Sequence, residues 1–474
     1  MARQTALRRA WTGVALTTSL VAIGAGAWGL QRWAPFADAV ADWPDNVRPV
    51  VEFVEGATGQ RFVRQVTIEY IADSDQYRTL VQPGTGDPTD EERATAAADE
   101  GVARALGLWA GDGSVIEFRA AYASADPLPV TWFADTDTIA INAQSGSELS
   151  PLLRAELSVR LTQALDNQLF RTIEQIRRAP TSQEYQALVA ISIGHALWVH
   201  DLYVDNLAED ERTRYSADSE DGDVSWAEAM ADVPLAYRAI RAIPQQIGPM
   251  FVEALAQTGR TQVARALSTS VPVALDQISL PARKYLRPDA TEHVTRPPGP
   301  AGADVHSSNQ MGPFALYLLF STGMPLDVAL TASDGWGNDR YTAYTLDGRV
   351  CVDVHVVADS PHAGDLLEAG LDGWARARPE EADVLIGRDG LDLYATACDP
   401  GVEVGQSTPT ATAVQQYLAR AQVLQRRASG GRGVGLAECV AVSFYGSHDN
   451  ATMDETLDFY EELRTLEQNC LSAV

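Results

Sequence analysis

The hydrophobic pattern begins with an uncharged, largely apolar stretch from Ala10 to Leu30, preceded by Arg3, Arg8 and Arg9. At helical rise it is long enough to cross a bilayer core of about 30 Å, and Trp11, Trp28 and Trp33 suit its two interfaces. Three arginines before the span and only Arg32 close behind it predict a cytoplasmic N-terminus, with the chain from about residue 34 outside the cytoplasm. The triplet Ala25-Gly26-Ala27 supports the alternative of a cleaved signal peptide and a secreted product, although the apolar run exceeds the about 7–15 residues usual for one. The uncleaved single-pass anchor is the preferred reading.

After a linker with Pro35, Pro44 and Pro49, the run Phe62 to Ile71 alternates as a strand does, entered through Gly59. An exposed acidic helix is predicted near Asp90 to Leu106. Strand-like Val130–Phe133 and Thr138–Ile141 follow, and Ser150-Pro151 opens a long helical pattern through Phe170. Helical periodicity then dominates to Leu286, over 184–203, 226–242, 248–259 and 261–267, interrupted by the acidic stretch Glu209 to Asp223, which reads as a solvated loop. Prolines 288, 297, 298 and 300 mark a linker or surface crossing. Beyond it, a helical segment at 312–320, an alternating run Arg349–Val357, a helix at 363–377 and strand-like 384–386 and 391–395 form a small α+β unit. Thr452 and Glu455 form a capping box that opens a last helix. The expected organisation is a cytoplasmic tip and anchor over 1–33, a linker over 34–48, a domain over 49–290, a Pro-rich linker over 291–310 and an α+β region over 311–474.

Composition narrows the partners. The chain of 474 residues carries 64 acidic against 36 basic residues, a formal charge of −28 that repels nucleic acids, so none is expected as a partner. The excess also describes an ordinary highly soluble surface. All four cysteines, Cys351, Cys398, Cys439 and Cys470, lie in the C-terminal region, with no C-x-x-C spacing. In an oxidising compartment they suggest two disulfides, and sequence neighbourhood favours 351 with 398, across the α+β unit, and 439 with 470, tying the last helix to its preceding strand; buried thiols are the alternative if the chain is not exported.

Zincins hold their metal with two histidines at i and i+4 on one helical face, with a glutamate between them as general base. The helix Glu156 to Phe170 resembles the segment HELTHALQDQHF of a family of bacterial neutral zinc metallopeptidases, matching at Leu161, Thr162, Ala164, Leu165, Gln168 and Phe170. The ligand positions hold Val159 and Gln163, and the base position holds Arg160. Further segments follow in the family's order: Arg61 to Tyr70 is similar to its RFxxPVxVxFL strand, Ala105-Leu106-Gly107-Leu108 to ALGL, and Ala187 to Ala196 to ALVEGDA, which puts Ile193 at the third ligand. Ile243 to Leu255 is similar to FPYxxGxxFVxxL, Asp276 to Tyr285 to STEQILHPEKY with Leu280 at the histidine, and Gly335 to Tyr341 to GWGGDRY. The resemblance covers about residues 46 to 400. It implies a zincin-like helical core with a small N-terminal sheet, ahead of the α+β unit, in which every catalytic position is lost.

No other constellation replaces the missing one. His195 and His200 stand about 140° apart on a helix and cannot chelate one metal from one face, so packing or hydrogen bonding is expected of both. Glu156 is an i, i+4 partner for Arg160, and Glu156, Arg160, Gln163 and His195 make up the candidate cleft. The glycine-rich run Gly430 to Gly435 lacks a following Lys-Ser/Thr and reads as a flexible loop. No cofactor is expected. The resemblance implies a membrane-anchored pseudopeptidase that binds a peptide or protein in the envelope or regulates a paralogue, with a filled-cleft structural module and a peptidase with a rearranged site as alternatives. A reporter fused after Val474 should be active only outside the cytoplasm; a cytoplasmic reporter working there would overturn the orientation.

Overall fold

The computed structural model describes residues 43–82, 87–124, 128–288, 294–448 and 457–473. The apolar stretch Ala10–Leu30 and the capping box at Thr452 lie outside the described residues. The helices are α1 (Arg48–Thr58), α2 (Ser74–Val81), α3 (Asp90–Leu106), α4 (Val115–Ser124), α5 (Pro151–Phe170), α6 (Thr172–Arg178), α7 (Ser182–Asp205), α8 (Glu209–Ala229), α9 (Leu235–Thr258), α10 (Arg260–Ser268), α11 (Leu275–Ser279), α12 (Gly312–Phe320), α13 (Leu326–Ser333), α14 (Pro361–Ala377), α15 (Ala411–Arg427), α16 (Val434–Tyr445) and α17 (Leu457–Ala473). Strands β1 (Thr67–Tyr70), β2 (Val130–Phe133) and β3 (Thr138–Ile141) form one sheet in the order β1-β3-β2. Strands β4 (Asp304–Asn309), β5 (Trp336–Leu346), β6 (Arg349–Ala358), β7 (Leu385–Asp389) and β8 (Asp392–Cys398) form an antiparallel second sheet, β4-β5-β6-β8-β7. The protein is thus mixed α+β, with small sheets.

Local chemistry accounts for the element ends. Ser150 caps α5 by accepting Leu153 N–H at 3.2 Å, and Thr181 caps α7 by accepting Glu184 N–H at 3.2 Å. Thr89 and Glu92 make a full capping box on α3. The strand expected over Phe62 to Ile71 is shortened to β1, because Gln168 of α5 takes the backbone N–H groups of Val63 and Arg64 at 3.1 and 3.2 Å. The acidic stretch at 209–223 is helical, not a loop. Glu209, Asp210 and Glu211 sit in the first turn of α8, where the helix dipole favours negative charge, and Glu211 pairs with Arg154 of α5.

The core is organised around α7, which lies between α5 and α9. It is long and apolar enough to cross a membrane, with mean hydropathy 1.4 over its best window, but it is packed inside the fold as a core helix. At its centre Gly194 meets Gly248 of α9 backbone to backbone, so that a Cβ on either would overlap main-chain atoms of the other helix. One large apolar cluster joins residues of α7, α9 and α11 to α12, α14, α15, α16 and the inner face of the second sheet. It draws on residues from both sides of the Pro-rich segment placed at 291–310. Within it, residues 295–297 run over the outer face of the second sheet, where the carbonyls of Thr295 and Pro297 accept from His355 Nδ1 at 3.0 Å and Thr342 Oγ1 at 2.7 Å, and 304–309 form β4, an edge strand of that sheet.

The N-terminal helix α3 belongs to the same body. Its last turn offers carbonyls to the C-terminal unit: Arg378 donates to the oxygens of Arg104 and Ala105 at 2.6 and 3.1 Å, and Trp374 Nε1 donates to Leu106 O at 2.9 Å. Arg104 in turn pairs with Asp399 at 2.8 Å, both largely buried. The expected helix bounds hold, but its C-terminal half, from Gly101 to Leu106, is buried except for Val102.

Both expected disulfides are present. Cys351–Cys398 joins directly opposed residues of β6 and β8, and Cys439–Cys470 joins α16 to α17. The second bridge therefore ties the last helix to another helix and not, as expected, to a strand. The run at 430–435 enters a π-helical turn, Ala428–Arg432, before α16 begins. Because backbone cannot yield as a side chain does, Gly194→Ala should destabilise the fold by about 1–3 kcal/mol or more. Chemical denaturation, with a lowered midpoint at unchanged m-value, is the measurement.

Candidate functional site

The positions singled out on α5 form a closed arrangement. Val159 is buried, and so is Arg160, whose guanidinium donates to Gln163 Oε1 at 3.0 Å and to the backbone oxygen of Val130 at 3.1 Å, with Glu156 at 3.8 Å. The i, i+4 pairing of Arg160 with Glu156 is thus present, in a setting where the cation is also held from a strand. Val130 begins β2, an edge of the first sheet, and its carbonyl points to the open side, since Pro129 O on the other side accepts Asn142 N–H at 2.9 Å. The next outward carbonyl, Leu128 O, accepts from Tyr77 Oη of α2 at 2.7 Å. Burial pushes the Tyr77 phenol up to about 12, so it stays a donor. Two outward oxygens here, those of Val130 and of Leu128 just before the strand, are thus taken by side chains, whereas Trp132 O faces the open side by the same alternation.

Ile193 and His195 stand apart from that group. Ile193 packs beside Ile176, Leu188 and Val189 in a small separate cluster. His195 Nδ1 is bonded to the buried carboxylate of Asp166 at 2.8 Å, and its ring stacks on Trp198. Asp166 lies one turn beyond Gln163 on α5. His195 borders a cavity of ≈ 20 Å³ with Phe170, Trp198, Arg260 and Leu267, room for about one water. His200 bonds Asp201 and Tyr215, at 3.1 and 3.2 Å. Hydrogen bonding of both histidines was expected; the partner Asp166 was not, and its only sequence signal was its place on the inner face of α5. Among the described residues, no group of three or more His, Cys, Asp or Glu is arranged to hold a metal.

A second charged site was not read from the sequence. Lys284, the only lysine in the chain, sits on the π-helical turn Pro281–Tyr285 within ion-pair distance of Asp359 and 4.0 Å from Asp276. Around it, Arg420 holds Asp334 at 2.8 Å, and Arg283 holds Glu438 at 3.0 Å, with Arg420 and Glu438 almost fully buried. Four carboxylates thus face three cations. Asp276 Oδ1 has no hydrogen-bond partner among the described residues. Burial pushes the Asp276 carboxyl up to about 7, outweighing the opposing pull of Lys284, and Asp359 and Asp334 add to the rise. The same region contains Asp339 of the GWGNDRY segment, whose carboxylate accepts Met311 N–H, Gly312 N–H and Trp336 Nε1–H at 2.7–2.8 Å and so caps α12.

No family model, no curated protein and no solved structure matches the chain. The likeness to zinc metallopeptidases rests on the quoted segments alone.

The raised pKa of Asp276 fixes the sign of a pH effect. The folded state holds this proton up to about pH 7, whereas the unfolded chain releases it near the ordinary value of 3.8, so the stabilisation is fully present below 3.8 and is lost progressively as pH rises to about 7. An Asp276→Asn variant, which mimics the protonated acid, should melt close to the wild type near pH 3.5 and above it near pH 8. Thermal unfolding at the two pH values checks this.

Proposed function

We propose that this chain is a non-catalytic interaction module of the cell envelope, derived from a peptidase-like scaffold whose cleft its own side chains have closed. The observation that carries the reading is the position of Arg160. It stands at the position that the resemblance matches to the family's general base, carries a guanidinium that offers donors and no acceptor, and satisfies a strand carbonyl that an extended peptide would use. Tyr77 does the same one step along the strand. An extended peptide is therefore barred from the start of this edge by the protein's own side chains, and this favours the filled module over a peptide-binding pseudopeptidase.

Three further points support it. Val159 and Ile193 have no lone pair to give a metal, and Gln163 spends its amide oxygen on Arg160. Gly194 and Gly248, matched to two different motifs of the family, are the pair at the α7–α9 crossing. The two disulfides fit an extracytoplasmic location, where a folded, charge-dense ectodomain has only to persist and bind.

The purified protein should contain no stoichiometric zinc and cleave no peptide, and Arg160→Ala should lower its stability by about 1.5–3 kcal/mol through loss of charge-assisted hydrogen bonds without creating activity. Metal analysis with a peptide-library cleavage assay is the test. Zinc at one equivalent that disappears on changing Gln163 or His195 would sink the reading.

A further inference from the structure

A groove of ≈ 360 Å³ lies far along the chain from the α5 site, between the end of α15, the π-helical turn Ala428–Arg432 and α17. Its charge is opposite to that of the molecule. Acids outnumber bases 64 to 36 over the whole chain, yet the groove is lined by Arg426, Arg427, Arg432 and Arg464 and by one acid, Glu467. Glu467 is itself engaged: it accepts Arg427 Nη1 at 2.6 Å and Arg432 Nε at 2.5 Å. One carboxylate thus holds two guanidinium groups side by side and neutralises the charge of only one. Arg464 is exposed and has no hydrogen-bond or ion-pair partner among the described residues.

The walls are built to stay in place. Cys470, three residues beyond Glu467, bonds α17 to α16 through Cys439. Phe459, nearly buried, packs edge-on against Phe444 of α16. Beside it the Tyr460 ring is 43% exposed at the groove, an apolar surface next to a cationic one. Guanidinium groups held side by side repel one another and an anion between them relieves this, and planar guanidinium forks match tetrahedral oxyanions bidentately. Arg427, Arg432 and Arg464 against Glu467 leave an excess of two positive charges among the described residues, which suits a dianion better than a single carboxylate. The volume falls in the range of about 300–1,000 Å³ typical of small-molecule sites.

We propose that this groove is a binding site for a phosphate monoester with an apolar body, the phosphate lying between Arg432 and Arg464 and the apolar part against Tyr460. The assignment is independent of the reading of the α5 cleft. Phosphate monoesters reach the envelope either as free small molecules or as lipid headgroups, and the same chemistry recognises both.

Titration of the detergent-solubilised full chain with phenyl phosphate, followed by calorimetry, should give saturable binding that weakens steeply with added salt. A soluble short-chain phosphatidic acid forms the second arm: tighter binding than phenyl phosphate assigns the site to a lipid headgroup, and weaker binding to a free ester. Arg464→Gln, at an exposed position where folding is not at issue, should weaken either ligand by about tenfold, and Arg464→Gln combined with Arg432→Gln should abolish binding. Phosphatidylcholine of the same chain length is the control and should not bind. Absence of saturable binding by both phosphate esters, or affinity unchanged in the double variant with its circular dichroism intact, overturns the proposal.

Discussion

The fold turns on a contact in which no side chain takes part. Where Gly194 and Gly248 meet, α7 and α9 approach until their main chains touch, closer than any pair of helices with β-carbons at the crossing could come. That distance is inherited by everything packed on α9. The helices α10, α11, α15 and α16 are placed by the near face of α9, and α5 is placed by the far side of α7. Pro244 and Pro249 lie in the same stretch of α9, so this helix forgoes backbone hydrogen bonds where it also gives up side-chain volume. The compensation is the apolar cluster that gathers both halves of the chain into one core.

Arginine closes that core from the outside in. Arg378 and Arg104 hold the end of α3 to the C-terminal unit, Arg420 and Arg283 hold Asp334 and Glu438, and Arg160 holds α5 to the first sheet. Arg104, Arg160 and Arg283 each serve acceptors from more than one element, and Arg378 and Arg420 each grip two acceptor atoms of one, which a compact ammonium does less readily. The strongly acidic surface and the arginine-held interior are two sides of one arrangement: carboxylates that face water carry the net charge, and Asp334, Asp399 and Glu438, which face inward, are met by forks.

Much of this was legible in the sequence where the cause was local. The bounds of α3, the cap at Ser150, the strand character of 130–133 and 138–141 and the pairing of all four cysteines follow from turn chemistry, periodicity and neighbourhood, and the Glu156–Arg160 pair follows from helical spacing. What was not legible depended on partners remote in sequence. The shortening of β1 is caused by Gln168, about a hundred residues away, and the burial of α3 by strands almost three hundred residues further on. Acidic density around Glu209 concealed a helix, because composition reports solvation and not backbone conformation. At the candidate site, Arg160 was readable as a lost base but not as the occupant of a strand edge, and Asp166 became visible as the partner of His195 only once α5 and α7 were side by side.

The solitary lysine has a consequence for how the protein can be handled and turned over. Its amine is enclosed by Asp276 and Asp359 and is 11% exposed, while every other cationic side chain among the acid-paired groups is a guanidinium or an imidazole. Apart from the N-terminus, the folded molecule therefore presents almost no primary amine. Acylating labels, aldehyde fixatives and conjugation systems that build an isopeptide bond onto a lysine all depend on one nitrogen, and they reach it freely only when the turn at Pro281–Tyr285 comes away from the body. The reactivity of that nitrogen is a gauge of local opening that this chain carries without any label.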